Sequence, residues 1–266
     1  MKTTFPLFVL LVALAGVAVH AVEPKLQLPP KPKLHLYLLI GQSNMAGRGT
    51  VEEADKVPHP RVITFKPDLS WAPAVDPLHF DKSTAGVGLG SSFGRAMADA
   101  EPEITIGLIP CAVGGTPLSM WQKEGVLYQK AVERAKAAMA DGELRGILWH
   151  QGENDAASEE TAKSYGERLA QMVGDLRAEL GAGDVPFVAG QLGEFLWKKR
   201  KAGSSRLYGI VNEQIDSLPT RVKNTAVVSS AGLAAKSDGI HFDSPALREF
   251  GKRYAVAMQK LQAAAK

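Results

Sequence analysis

Ser43 stands in Gly41-Gln42-Ser43-Asn44-Met45, directly after an apolar run, and Asp238-Gly239-Ile240-His241 lies near the other end of the chain. A serine hydroxyl is a poor nucleophile until a base takes its proton, and that base works best when a carboxylate orients it and stabilises its cation. Asp238 and His241 are three residues apart on a segment that Gly239 allows to turn tightly, so both side chains can point one way. These types and spacings suit acyl transfer, with Ser43 as nucleophile, His241 as general base and Asp238 as its orienting acid. A capping aspartate and a surface histidine ahead of the last helix fit the same spacing. The G-x-S-x-G elbow is absent, because Met45 occupies its last position.

Acyl transfer also needs donors aimed at the oxyanion of a tetrahedral intermediate. Val113-Gly114-Gly115-Thr116 follows a second apolar run, and its small residues expose backbone N–H groups. Trp149-His150-Gln151-Gly152-Glu153-Asn154-Asp155 overlaps the end of a third and offers the Gln151 side-chain amide. His150 and Glu153 are also metal-ligand types, but they lack the H-E-x-x-H pattern and a third ligand, so no metal or other cofactor is expected. Gln42 and Asn44 flank the serine and are candidates to touch a substrate. Cys111 is the only cysteine, so no intramolecular disulfide is possible, and it reads as a small buried hydrophobe.

The elements that must bring these pieces together alternate in type. Apolar runs predict strands at residues 34–40, 104–110, 146–150, 186–190 and 225–229, with a weaker one at 61–65. Helical spacing predicts helices at residues 91–100, 127–140 and 161–180, and from Pro245 to the C-terminus. Strands alternating with helices argue for a parallel sheet covered on both faces, whose ligands bind outside the carboxyl ends of its strands. The polar motifs follow the apolar runs, as that rule requires. Residues 66–90 read as one long loop, in which Gly86-Val87-Gly88-Leu89-Gly90 has the wrong spacing for a dinucleotide site.

Bulk properties narrow the class. The 266 residues suffice for one sizeable α/β domain. A net charge of +3 is too weak to suggest nucleic acid as a partner, and the basic run at residues 198–201 reads as a solvated loop. Lys2 and the apolar stretch from Phe5 to Val19 resemble a secretory signal peptide at residues 1–21, with no charged stop-transfer flank, so stable membrane insertion is not expected. A Pro- and Lys-rich extended leader follows at residues 22–33, then the domain at residues 34–266. The expected location is secreted or periplasmic.

The four polar blocks together, in this order, resemble the SGNH hydrolase superfamily, in particular its sialate O-acetylesterase-like branch with the acetylxylan esterases of carbohydrate esterase family 6. The resemblance spans roughly residues 34–254. Gln42 stands where GDSL enzymes have Asp, and Gln151 falls where others place an oxyanion Asn; both fit the carbohydrate-esterase branch. It implies a three-layer α/β/α flavodoxin-like fold with a central parallel sheet, and metal-free hydrolysis of O-acetyl groups on an acetylated carbohydrate. It further implies Ser43, His241 and Asp238 as a triad, oxyanion donors from Ser43, Gly114 or Gly115 and Gln151, and Glu153 as a helper acid or a structural carboxylate. Trp71, Trp121 and Trp197 are candidate sugar-stacking faces, Trp121 foremost, although core packing is open to each. A lipid or aryl esterase of the same fold and a catalytically silent sugar-binding module are the alternatives; retention of the whole triad speaks against the second.

Overall fold

A computed structural model describes residue 1, residues 26–198 and residues 205–264. The expected signal peptide and most of the basic run lie outside the described residues. The strands are β1 (Leu34–Gly41), β2 (Val62–Phe65), β3 (Trp71–Pro73), β4 (Thr105–Pro110), β5 (Glu143–His150), β6 (Phe187–Gly190) and β7 (Thr225–Val228). The helices are α1 (Ser43–Ala46), α2 (Gly90–Ala100), α3 (Val126–Ala138), α4 (Glu159–Lys163), α5 (Tyr165–Glu179), α6 (Phe195–Lys198), α7 (Ser205–Asp216), α8 (Leu218–Arg221) and α9 (Ser244–Ala264). The strands form one sheet in the order β3-β2-β4-β1-β5-β6-β7. Every neighbouring pair is parallel except β2 with β3.

Every residue of the central strand β1 is buried, as expected when helices cover both faces of a parallel sheet. On one face Tyr37 meets Phe93 of α2 edge-on at 4.9 Å, and a side chain at Gly146 would collide with Met258 of α9. On the other, Trp149 donates its indole N–H to Tyr165 of α5 (3.0 Å) and packs at right angles on Trp121, 5.7 Å away. Three layers result.

The structure corrects the sequence reading in three places. The segment read as a 66–90 loop contains β3, an antiparallel edge strand reached by a turn in which the Lys66 N–H donates to Ser70 O and Asp68 accepts from the Ser70 N–H. The helix expected at 161–180 is two helices. Ser164 separates them, its hydroxyl donating to Glu160 O four residues back, a bond that favours a bend over straight continuation. Helices α1, α6, α7 and α8 were not expected at all.

Candidate active site

The nucleophile candidate is placed by a steric demand at the end of β1. Gly41 has φ +133°, and a Cβ there would lie 2.1 Å from His150 O. No other residue fits so close to β5, and the chain turns at once into α1, with Ser43 its first residue. The N–H groups of a helix's first turn have no acceptor within the helix, and the Ser43 N–H, at the sheet's carboxyl edge, has none among the described residues. Ser43 Oγ lies 3.0 Å from His241 Nε2.

His241 is held by its own loop. The Asp238 carboxylate sits 2.8 Å from His241 Nδ1, and its other oxygen accepts the N–H groups of Ile240 (2.8 Å) and His241 (2.9 Å). Gly239, at φ +66°, makes the turn that brings these groups together. Partial desolvation works against ionisation of Asp238, but the two backbone N–H groups and the imidazole outweigh it and hold the carboxyl at about 2. A carboxylate facing Nδ1 places the ring proton there and leaves the Nε2 lone pair to accept from Ser43. The three residues the sequence singled out thus form one hydrogen-bonded line.

This line borders a cleft of about 630 Å³, walled by Gln42, Arg48, Lys82, Thr84, Gly114, Gly115, Glu153, Asn154, Tyr208, Lys236 and Ile240 besides the triad. The other predicted residues are redistributed. Gln151 is fully buried beneath the cleft, not in its wall. Its amide N–H groups point to Asp155 (2.7 Å), Thr116 O (3.0 Å) and Gln42 Oε1 (3.2 Å), so none remains for an oxyanion. Gln42 is the glutamine that reaches the cleft. Its carbonyl is fixed by Gln151 and by the Asn154 N–H (3.5 Å), and its own amide N–H₂ has no acceptor among the described residues. The Gly114 N–H is also taken, by Asp81 (2.8 Å). The Gly115 N–H has no such partner among the described residues, and Gly115 adopts the left-handed φ of +81°.

Asn44 does not touch the cleft either. It is buried, donating to Glu153 Oε1 (2.6 Å) and Ile240 O (3.4 Å) and accepting the Phe242 N–H (3.1 Å). It ties α1 to both neighbours of His241. Glu153 lines the cleft and orients Asn44, but no hydrogen bond joins it to Ser43 or His241; its second oxygen is buried without a partner among the described residues. Trp121 belongs to the core, its indole N–H donating to Thr116 Oγ1 (3.1 Å). Trp71 donates to Asp141 beside the edge strand, and Trp197 packs against the core. The aromatic ring in the cleft wall is Tyr208 of α7. The spacing of Leu207, Val211 and Ile215 was the signal for that helix.

His150 packs between Phe242 and Phe250 with Nε2 3.2 Å from Gln191 O, and burial lowers its pKa. Among the described residues no group of three or more His, Cys, Asp and Glu side chains is placed to hold a metal ion. None of the described helices is long and apolar enough to cross a membrane.

The family model for carbohydrate esterase, sialic acid-specific acetylesterase, matches residues 33–260. A probable carbohydrate esterase of Arabidopsis thaliana is 31% identical over 258 residues, covering 88% of this chain and 94% of that protein. The X-ray structure of this plant protein superposes with a TM-score of 0.75 at 29% identity, over 86% of this chain and 98% of that one. Two further structures share the fold. NanS gives a TM-score of 0.69 at 18% identity, covering 88% of this chain and 99% of its own. XAC1771, a carbohydrate acetylesterase from Xanthomonas citri, gives 0.68 at 17%, covering 87% and 56%.

Proposed function

The chain belongs to the carbohydrate esterase, sialic acid-specific acetylesterase family, and we propose that it hydrolyses O-acetyl groups on sugars through an acetyl-enzyme at Ser43. One observation carries this reading: the line from Ser43 Oγ through His241 to Asp238, opening on a cleft. In the proposed reaction His241 Nε2 takes the hydroxyl proton as Ser43 Oγ attacks the acetyl carbonyl. The oxyanion forms against the Ser43 and Gly115 N–H groups and the Gln42 amide. His241 then gives its proton to the departing sugar oxygen. Water, deprotonated by the same imidazole, attacks the acetyl carbonyl and releases acetate, restoring Ser43. The Tyr208 ring offers a face for the sugar, and acetylxylan and acetylated sialic acid are the substrates to try first. The apolar stretch from Phe5 to Val19 supports export, with the mature chain starting near Val22; N-terminal sequencing of exported protein that still begins at Met1 would refute cleavage.

The test is acetate release from a panel of acetylated glycans by wild type, Ser43→Ala and chelator-treated wild type, with folding checked by circular dichroism. Ser43→Ala removes one oxygen and is expected to cut turnover by about 10⁴-fold or more while the fold and sugar binding survive. Full activity in Ser43→Ala would overturn the reading. Activity lost only on chelation would move the chemistry to a metal. Sugar binding without acetate release from any substrate would favour a silent binding protein.

A further inference from the structure

We infer that the buried Arg48–Asp81 ion pair is a positioning device for the oxyanion loop, holding Gly114 by its backbone and so setting where the Gly115 N–H stands relative to Ser43. The inference rests on the serine-esterase reading above. Arg48 Nη2 lies 2.6 Å from Asp81 Oδ2, and the two side chains are only 8% and 1% exposed. The oxygen that takes the guanidinium also accepts the Gly114 N–H, at 2.8 Å. Burial works against the Asp81 charge, but the Arg48 guanidinium and the Gly114 N–H outweigh it and keep its pKa below the ordinary carboxylate value. Two charges removed from water are no better for stability than a well-packed apolar pair, so stability alone is a weak reason for them.

What the pair touches supplies a better one. Arg48 Nη1 donates to Gly47 O (2.7 Å), on the turn that ends the nucleophile's helix. Lys236, on the loop that carries Asp238 and His241, donates its ammonium to Arg48 O at 2.5 Å. The pair therefore joins the turn after Ser43 to the Gly114 loop, and the Arg48 main chain holds the loop that carries His241, segments far apart in the chain. Gly114 is wedged at their meeting point. A Cβ there would come within 2.4 Å of Arg48 Nη2, 3.1 Å of Asp81 Oδ2 and 3.3 Å of Ser43 Cβ. The glycine is what lets the guanidinium and the nucleophile close on the loop from both sides. With its N–H committed to Asp81, the next N–H, that of Gly115, is the one that lines the cleft without a partner among the described residues.

An oxyanion donor displaced by a fraction of its bond length loses much of its effect on the transition state while ground-state binding changes little. The experiment measures kcat, KM, Tm and the pH dependence of kcat/KM with p-nitrophenyl acetate, and the rate at which a neutral p-nitrophenyl phosphonate labels Ser43. That labelling passes through an oxyanion in the same place. Asp81→Ala is expected to lower kcat and labelling together by about 10- to 100-fold, with KM within twofold and the pH dependence in place. Asp81→Asn, which keeps an acceptor for the Gly114 N–H, is expected to recover part of the loss. If the unpaired Arg48 prevents Asp81→Ala from folding, the double variant Arg48→Met/Asp81→Leu leaves no orphan charge and is expected to show the same loss.

Wild-type kcat and labelling in a folded Asp81→Ala or double variant would overturn the inference. A loss confined to KM would overturn it too, since Arg48 lines the cleft and would then be a substrate contact. So would a loss that vanishes at temperatures where the variant is fully folded. An active Ser43→Ala would instead remove the serine-esterase reading itself; an inactive Ser43→Ala beside wild-type Asp81 variants would remove only this inference.

Discussion

The loop that carries Asp238 and His241 and the floor beneath Ser43 are built in opposite ways. Asp238 and His241 are fixed by bonds spanning two or three residues, and 39% of the Asp238 side chain meets solvent. The floor is buried and long-range. Asp155 accepts from the Leu118 N–H (2.8 Å), the Gln151 amide and Arg168 (2.8 Å), while Tyr165 donates its hydroxyl to Gln151 O (2.7 Å). In the proposed mechanism His241 must gain and lose a proton, and it stands at the cleft, where local bonds suffice because the chain itself fixes its neighbours. A group that must only stay put is sunk in a network where each donor has an acceptor, and there a single deletion leaves others unpaired.

The sharpest way to break this contrast is at its exposed end. Asp238→Asn is expected to lower kcat by about 10³- to 10⁴-fold with little change in Tm, because the amide stabilises neither the imidazolium nor the required tautomer. A variant that instead loses stability would make the base loop part of the core. Gln42→Ala comes next, with a loss of about 10²-fold or more in kcat and little change in KM. Gln151→Ala should invert that pattern. Each buried group it strands costs about 1–3 kcal/mol, and each kcal/mol lowers the Tm of a chain this size by about 2–4 °C. Its kcat loss should be smaller than that of Gln42→Ala. Equal losses in the two glutamine variants, at wild-type Tm, would make the floor part of the reacting site.

The smallest effect is in the pH dependence of stability. The Asp238 carboxyl, at about 2, lies below the ~3.9 of a free aspartate, so it contributes stability that is present above about pH 4 and lost as pH falls toward 2. Solvent exposure keeps that contribution small. Asp76 has the opposite sign. Burial, and then the nearby Asp55 carboxylate, push it up to about 7, so the fold keeps a proton that the unfolded chain releases. Its contribution is full below about pH 4 and is lost as pH rises to about 7. Asp76→Asn is expected to raise Tm at pH 8 by a few degrees and leave it unchanged at pH 4. Equal Tm differences at both pH values would show that the Asp76 charge is not the cause.

What the sequence disclosed follows the same division. The Asp238–His241 pairing is a matter of three residues and one glycine, and Ser43 follows from a strand that ends at Gly41; both are local and could be read directly. Two glutamines stand near the nucleophile, and nothing local distinguishes the one in the cleft. Gln151 is turned under by Asp155 and Thr116, Gln42 outward by Gln151. The Asp81–Gly114 bond crosses 33 residues from a loop without periodicity, so nothing in the sequence showed which of the two glycines keeps its N–H free of Asp81. Trp121 has the composition of a sugar platform, but its neighbour Trp149 makes it core. The parallel sheet was legible in its apolar runs. Its antiparallel edge was not, because three residues carry no period.

That short edge bears on how one margin of the sheet meets another chain. An open sheet offers unpaired N–H and C=O groups at its margin, a template on which another chain's strand can grow. At the β3 margin the outer strand is Trp71–Pro73, and its last residue has no N–H to give. An incoming strand finds too few donors to register against, so crowding at high concentration leaves this margin closed to aggregation.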